Sequence, residues 1–335
     1  MKVAVFDTHP FEKEHFTAAN AFFQHEITFF ESRLDIKTAS LASGFEAVCS
    51  FVYDTLDAKT LGILREQGVK LIALRSAGFN HVDMASATSL KISVVRVPEY
   101  SPYSVAEHAA GLILALNRKL TRAATRVRDH NFSLEGLVGF DLHGKCVGVL
   151  GTGKIGSVMC KIMAGFGCLV LAYDLKEDPN LLAQGVKYVS LAEIYQQAHI
   201  LSLHLPLNSK TNHLLNANAF AQMRKGVMVI NTGRGALIDS QALVLALKTG
   251  QVGFAGLDVY EEEEDVFLQD VSDQVLKDDL LALLLTFPNV LITSHQAFLT
   301  TEALDNIAKT TLKSISDFQH KRPLECLVRW DQVGK

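Results

Sequence analysis

The amino-acid sequence predicts an α/β protein of two doubly wound parallel-sheet domains with a cleft between them. Three observations carry this expectation. Short β-branched runs alternate with helical patterns along most of the chain. A glycine-rich turn joins strand to helix near the middle, and two prolines in "VPEYSPYS", Val97 to Ser104, interrupt the alternation. With 335 residues, 48% hydrophobic and 20% charged, the composition is that of a soluble globular protein of about two domains.

The first series opens with "KVAVFD", residues 2–7, and continues with strands expected at Ala47–Phe51, Leu71–Arg75 and Ile92–Val97. Past the prolines, Ser104-Val-Ala-Glu107 reads as a capping box opening one long helix through "AAGLILALNRKLTRAATRVRD". That helix ends before a loop-like connection, Asn131 to Gly144. The second series begins at "KCVGVLGTGKIG" and runs to "NVLITSHQAF", Asn289 to Phe298, with strands expected at Ile200–Leu203, Val227–Asn231, Phe254–Leu257 and Val290–Ser294. A last helical pattern, Glu302 to Phe318, and a short tail remain. They are too short for a domain of their own and are expected to return to the first one. The division is then residues 1–100 plus 299–335 for one domain and 101–298 for the other, with the linker crossed twice.

A net charge of −4 supplies no broad basic field, so neither nucleic acid nor an anionic membrane is an expected partner. Asp7 interrupts the amino terminus before an apolar leader region can build up, and no apolar run approaches the roughly 18 residues that span a bilayer. The expectation is a cytoplasmic protein acting on a small molecule. Cys49, Cys146, Cys160, Cys168 and Cys326 are scattered without CxxC spacing, which suggests reduced core thiols rather than disulfides or a metal site.

Gly151-Thr-Gly153-Lys-Ile-Gly156 follows the apolar run Cys146–Leu150 and precedes a helical pattern. Glycines there allow a tight turn and close backbone approach, and a helix amino terminus offers unpaired N–H groups to a pyrophosphate. Asp174 ends the next strand, "CLVLAYD", eighteen residues after Gly156. A carboxylate at that point hydrogen-bonds ribose hydroxyls and repels a 2′-phosphate, which favours NAD over NADP. If the strands are as placed, His204-Leu205-Pro206, Thr232-Gly233-Arg234, Asp258 and His295 also follow carboxyl ends, the edge where open parallel sheets bind ligands.

These residues suit hydride transfer to a keto acid, which needs a nicotinamide, a planar cation for the carboxylate and a proton donor for the carbonyl oxygen. Arg234 is the candidate cation and His295 the candidate acid. A carboxylate beside an imidazole favours its protonated form, and one of the four glutamates in "GLDVYEEEEDVF" is a candidate for that neighbour.

Seven ordered stretches then make the chain recognisable: "RSAGFNHVD", "VPEYSPYSVAEHAAGLILALNR", "GTGKIG", "SLHLPL", "NTGRGALID", "LDVYEEE" and "TSHQAFLT". Over essentially its whole length the chain resembles the D-isomer-specific 2-hydroxyacid dehydrogenase family, in particular its fermentative bacterial D-lactate dehydrogenases. The resemblance implies a Rossmann-like nucleotide domain from the middle of the chain and a flavodoxin-like substrate domain from both ends. It also implies NAD as cofactor, pyruvate and D-lactate as substrates, and a homodimer or homotetramer. It assigns Arg234 to the substrate carboxylate and carbonyl, His295 to proton transfer, and Glu263 to pairing with His295, leaving Glu261, Glu262 and Glu264 as solvated loop. Cofactor contacts are implied for Lys154 and Ile155 at the pyrophosphate turn, and for Asp174 at the ribose. Leu205, Pro206 and Thr211 fall along the adenine side, with Thr232, Gly233 and Asp258 near the nicotinamide. The backbone of Ser76, Ala77 and Gly78 is assigned to the substrate carboxylate, and Tyr53, Tyr100 and Phe298 to the pocket wall. Leu299 departs from the pattern, standing where some lactobacillar relatives carry Tyr.

Two alternatives accompany this reading. One is a relative acting on a larger 2-keto acid such as phenylpyruvate or a branched-chain analogue. The other is an NAD-responsive scaffold like the C-terminal-binding-protein corepressors, whose extra peptide-binding and tail segments are not found here.

Overall fold

The computed structural model describes residues 1–329, so residues 330–335 of the expected first domain lie outside the described residues. The chain divides into two compact units, one formed by Met1–Ser101 with the chain from Phe298 onward, the other by Pro102–Ala297.

The first unit holds β1 (Lys2–Val5), α1 (Pro10–Phe23), β2 (Glu26–Phe29), β3 (Ala47–Ser50), α2 (Ala58–Glu66), β4 (Leu71–Leu74), α3 (Met84–Ser89) and β5 (Ser93–Val95). The strands form a parallel sheet in the order β2-β1-β3-β4-β5, the flavodoxin-like arrangement. Because successive side chains point to opposite faces, Val3, Val5, Ala47, Cys49, Leu71 and Ala73 enter one core while Ala4, Val48, Ile72 and Val94 enter the other. The sequence reading missed β2, a four-residue edge strand whose side chains alternate between exposed and half-buried. The expected strands also overrun at their carboxyl ends. Asp7, for instance, sits at φ +47, outside any strand.

The second unit holds α4 (Pro102–Asn117), α5 (Leu120–Arg128), β6 (Cys146–Leu150), α6 (Lys154–Gly165), β7 (Leu169–Tyr173), α7 (Pro179–Ala183), β8 (Lys187–Tyr188) and α8 (Leu191–Gln197). It continues with β9 (Ile200–Leu203), α9 (Ala217–Gln222), β10 (Val227–Asn231), α10 (Ser240–Lys248), β11 (Val252–Leu257), α11 (Asp279–Thr286) and β12 (Val290–Ile292). The parallel order β12-β11-β10-β9-β6-β7-β8 is that of a Rossmann sheet with one further strand. Its direction of winding reverses between β6 and β9, which opens a crevice at their carboxyl ends.

Two expectations for the linker helix are corrected. Ser104 opens no capping box, because α4 begins at Pro102, whose missing N–H and fixed φ suit a first helical position. The helix also breaks in two, with Lys119 at φ 50 between α4 and α5. The buried Asn117 side chain explains the break, since it donates to the Phe140 carbonyl at 2.7 Å and accepts from the Phe140 N–H at 2.8 Å, tying the following connection to the end of α4.

The last helix, α12 (Thr301–Gln319), is capped by Thr300 and packs against α1 in the first unit. The tail then reaches β5, where the Val328 N–H donates to the Val94 carbonyl at 2.8 Å. Cys49, Cys146, Cys160 and Cys168 are buried, and burial pushes the Cys49 and Cys160 thiols up to about 12. Among the described residues no group of acidic, His and Cys side chains has the arrangement of a metal site, and no helix is long and apolar enough to cross a membrane.

Candidate active site

The glycine turn sits where the winding reverses. Gly151 adopts φ +89, and a Cβ there would lie 2.5 Å from the His204 carbonyl oxygen. A Cβ on Gly156 would lie 1.8 Å from the Gly151 carbonyl oxygen, so only glycine lets α6 start this close to β6. Gly153 is the cap, and Lys154, Ile155 and Gly156 form the first turn, whose N–H groups have no partner within the helix.

Asp174 follows β7 and braces this turn. Its Oδ2 accepts from the Thr152 N–H at 2.6 Å and the Thr152 hydroxyl at 3.2 Å, and its Oδ1 accepts from the Lys176 N–H at 3.2 Å. Tyr188 on β8 donates to the Thr152 hydroxyl at 2.8 Å and accepts from the Asp178 N–H at 3.0 Å. The carboxylate therefore stands in a fixed place beside the turn. Below the turn, burial pulls the His204 imidazole down to about 4, and its Nε2 lies 2.9 Å from the Ser202 hydroxyl. The exposed Pro206 and half-buried Leu205 follow. Thr211 closes their loop, donating to the Pro206 carbonyl at 2.6 Å and accepting from the Asn208 N–H at 2.9 Å.

These features fit a dinucleotide: a turn whose glycines admit close approach, an open helix amino terminus and a braced carboxylate for the ribose. The Thr232 hydroxyl, buried with no hydrogen-bond partner among the described residues, marks a further polar group on the same rim.

Arg234, Glu263 and His295 follow the adjacent strands β10, β11 and β12. The Asn231 side chain at the end of β10 sets the first of these loops, accepting from the Gly233 N–H at 3.0 Å and donating to the Arg234 carbonyl at 2.9 Å. Arg234 Nη1 donates to the Gly233 carbonyl at 2.8 Å. Gly235 lets this loop press against the next one, since a Cβ there would lie 2.0 Å from the Tyr260 carbonyl oxygen.

In that next loop, Glu263 Oε2 accepts from the Tyr260 N–H at 2.8 Å and Oε1 lies 2.7 Å from His295 Nδ1. Both side chains are mostly buried, at 15% and 20% exposure. His295 has φ +50, and its N–H donates to the Asp258 carbonyl at 2.8 Å. The fully buried Asp258 carboxylate accepts from the Gln296 N–H at 2.9 Å, the Ala297 N–H at 2.8 Å and the Thr293 hydroxyl at 2.6 Å. Asp258 is thus tied to the backbone around His295.

One expectation about the acidic run is overturned. Glu262 and Glu264 are exposed, but Glu261 is half-buried, paired with His213 and accepting from the Ser240 N–H at 3.3 Å. It joins the loops after β9 and β11 to the start of α10. Charge density alone conceals this, because His213 lies forty-eight residues away in sequence.

In the first unit, Arg75 lies buried immediately before Ser76, ion-paired with Glu12 and stacked over the Phe51 ring. The Ser76 carbonyl accepts from the Val97 N–H at 3.1 Å and the Ala77 carbonyl from Arg96 at 2.8 Å, while the Ser76 hydroxyl donates to the Gly78 carbonyl at 2.7 Å. A trans peptide sets N–H opposite C=O, so the Ala77 and Gly78 N–H groups face away from these partners. Phe298 makes edge contacts with Phe11, Phe51 and Tyr100, and Tyr53 is buried with Arg33 over its ring. Sequence reading gave no role to Thr152, Tyr188, Asn231, Thr293 and His108, which bear on the site through other residues.

A family model described as D-isomer specific 2-hydroxyacid dehydrogenase, NAD binding domain, matches residues 110–297. The 2-hydroxyacid dehydrogenase homolog 1 of Schizosaccharomyces pombe is 52% identical over 319 residues, covering 95% of this chain and 96% of that protein. The D-lactate dehydrogenase of Escherichia coli is 50% identical over 319 residues, covering 95% of this chain and 97% of its own. The apo structure of the E. coli enzyme matches with a TM-score of 0.91 at 46% identity, over 98% of this chain and 100% of that one. A structure of the pyruvate reductase of Chlamydomonas reinhardtii matches with a TM-score of 0.92 at 45% identity, over 97% of this chain and 98% of that one.

Proposed function

Because this chain belongs to the D-isomer specific 2-hydroxyacid dehydrogenase family and carries its NAD-binding domain, we propose that it reduces pyruvate to D-lactate with NADH, with His295 as the proton donor. One observation carries the reading: Arg234, Glu263 and His295 follow three neighbouring strands, with His295 Nδ1 held 2.7 Å from Glu263. NADH, when bound, supplies the hydride. Arg234 binds the keto-acid carboxylate and polarises the carbonyl with its planar guanidinium. With Nδ1 committed to Glu263, Nε2 is the ring nitrogen that hands its proton to the carbonyl oxygen as this becomes an alcohol, and takes it back in lactate oxidation.

Gly151, Gly153, Lys154, Ile155 and Gly156 are assigned to the pyrophosphate, Asp174 to the ribose, Leu205, Pro206 and Thr211 to the adenine side, and Thr232, Gly233 and Asp258 to the nicotinamide end. Ser76, Ala77 and Gly78, with Tyr53, Tyr100 and Phe298, are assigned to the keto acid. Pyruvate is preferred as substrate because proteins about half identical to this chain are named for D-lactate and pyruvate chemistry. The chain is further proposed to self-associate, since Phe132, Leu134 and Val138 leave large apolar side chains 71%, 80% and 82% exposed. The substrate assignment is tested by comparing kcat/KM for pyruvate, phenylpyruvate and 4-methyl-2-oxopentanoate with NADH. Pyruvate should lead, and a lead for either larger acid would displace it.

A further inference from the structure

We propose that His108, in the second turn of α4, is a positioning residue for His295 and acts through Thr293 and Asp258; this rests on the reading of His295 as proton donor. His108 Nε2 lies 3.0 Å from the Thr293 hydroxyl and 3.3 Å from Asp258 Oδ1. The Thr293 hydroxyl is itself 2.6 Å from Oδ1 of Asp258. A hydroxyl has one proton and a carboxylate has none, so Thr293 donates to Asp258 and the proton in the His108–Thr293 contact belongs to Nε2. His108 is therefore a donor to this pair.

The buried Asp258 carboxylate then has donors from His108, Thr293, Gln296 and Ala297, while its carbonyl accepts from the His295 N–H. Asp258 thus holds the His295 backbone, the Thr293 side chain before it and the Gln296 and Ala297 backbone after it. His295 also keeps φ +50, in the left-handed region that residues with side chains adopt uncommonly. Helix α4 packs on β10, β11 and β12, so it presents His108 from a fixed support. Loss of the His108 N–H removes one of the donors that fix Asp258, loosens residues 293–297 and turns the His295 ring away from Glu263.

The test uses the full chain with histidine labelled for NMR, the His295 ring signal being identified by its loss in His295→Gln. His108→Leu removes the donor and retains bulk, whereas His108→Gln returns an N–H near the Nε2 position. In His108→Leu the His295 ring signal, read at fixed pH, should move from its parent position as the Glu263 contact weakens, and His108→Gln should restore it. With NADH and pyruvate, His108→Leu should lower kcat about ten-fold with little change in the pyruvate KM and raise the solvent isotope effect on kcat, again with recovery in His108→Gln. If the Leu variant does not fold, His108→Asn, whose amide stops short of Nε2, replaces it. An unchanged His295 ring signal on loss of the donor, or equal displacement in the Leu and Gln variants, would overturn the proposal. A parent protein that fails to turn over pyruvate would count against the substrate reading, and the His295 ring signal would still decide the role of His108.

Discussion

His295 Nδ1 and Glu263 Oε1 lie 2.7 Å apart, and the other Glu263 oxygen is fixed by the Tyr260 N–H at 2.8 Å. A carboxylate held at both oxygens orients the imidazole and favours its protonated form. Pyruvate reduction requires that form, so activity is lost as pH rises. Glu263→Gln should move the descending limb of the pH–rate profile to lower pH. Glu262→Gln, at an exposed position, is the control and should leave the profile in place. Glu261→Gln is no control, because it breaks the pair with His213. Equal displacement in the Glu262 and Glu263 variants would remove the assignment.

Arg234→Lys retains charge and loses the planar fork. A charge-assisted hydrogen bond is worth roughly 1.5–3 kcal/mol, so pyruvate kcat/KM should fall by about ten- to a hundred-fold or more. NADH affinity, measured by fluorescence titration, should stay nearly unchanged. Unchanged pyruvate kinetics would mean that another cation holds the carboxylate.

How much of this was legible in the sequence varies with the range of the interaction. β9 and β10, the glycine turn and the carboxyl-end residues are written in local runs and spacings, and local reading places them. Choosing Glu263 among four adjacent glutamates took the family pattern, because charge alone does not distinguish them. The brace of Glu261 by His213 and the contact of His108 with Thr293 join residues distant in the chain, where no local spacing marks them. β2 was missed because an edge strand of four residues buries too little to show a pattern.

Asp174, proposed to bind the ribose, also holds the glycine turn through Thr152. Asp174→Ala should weaken NADH and relieve repulsion of a 2′-phosphate, so the ratio of kcat/KM for NADH over NADPH should narrow. The turn should loosen as well. A ratio equal to the parent's would place recognition of the ribose elsewhere.

Burial lowers His204 from 6.5 to about 4, which ties the stability of the nucleotide unit to pH. Its folded value lies below its unfolded one, so this stability is fully present above pH 6.5 and is lost as pH falls toward about 4, where the unfolded chain takes the proton first. The loss amounts to roughly 1–3 kcal/mol for a largely buried ring. His204→Gln removes the proton site, so its Tm should drop between pH 7.5 and pH 5 by about 2–6 °C less than the parent's. Parallel Tm curves would show that the ring takes up its proton alike in the folded and unfolded states.

We propose that this chain delivers a hydride from NADH and a proton from His295 to pyruvate. The most direct measurement follows NADH consumption by parent and His295→Gln with pyruvate and resolves the product by chiral chromatography. The parent should form D-lactate in step with NADH oxidised. His295→Gln should be slower by about a hundred- to ten-thousand-fold while still binding NADH, the range expected for loss of a general acid. L-lactate as the product, or a His295→Gln variant as fast as the parent, would overturn this function.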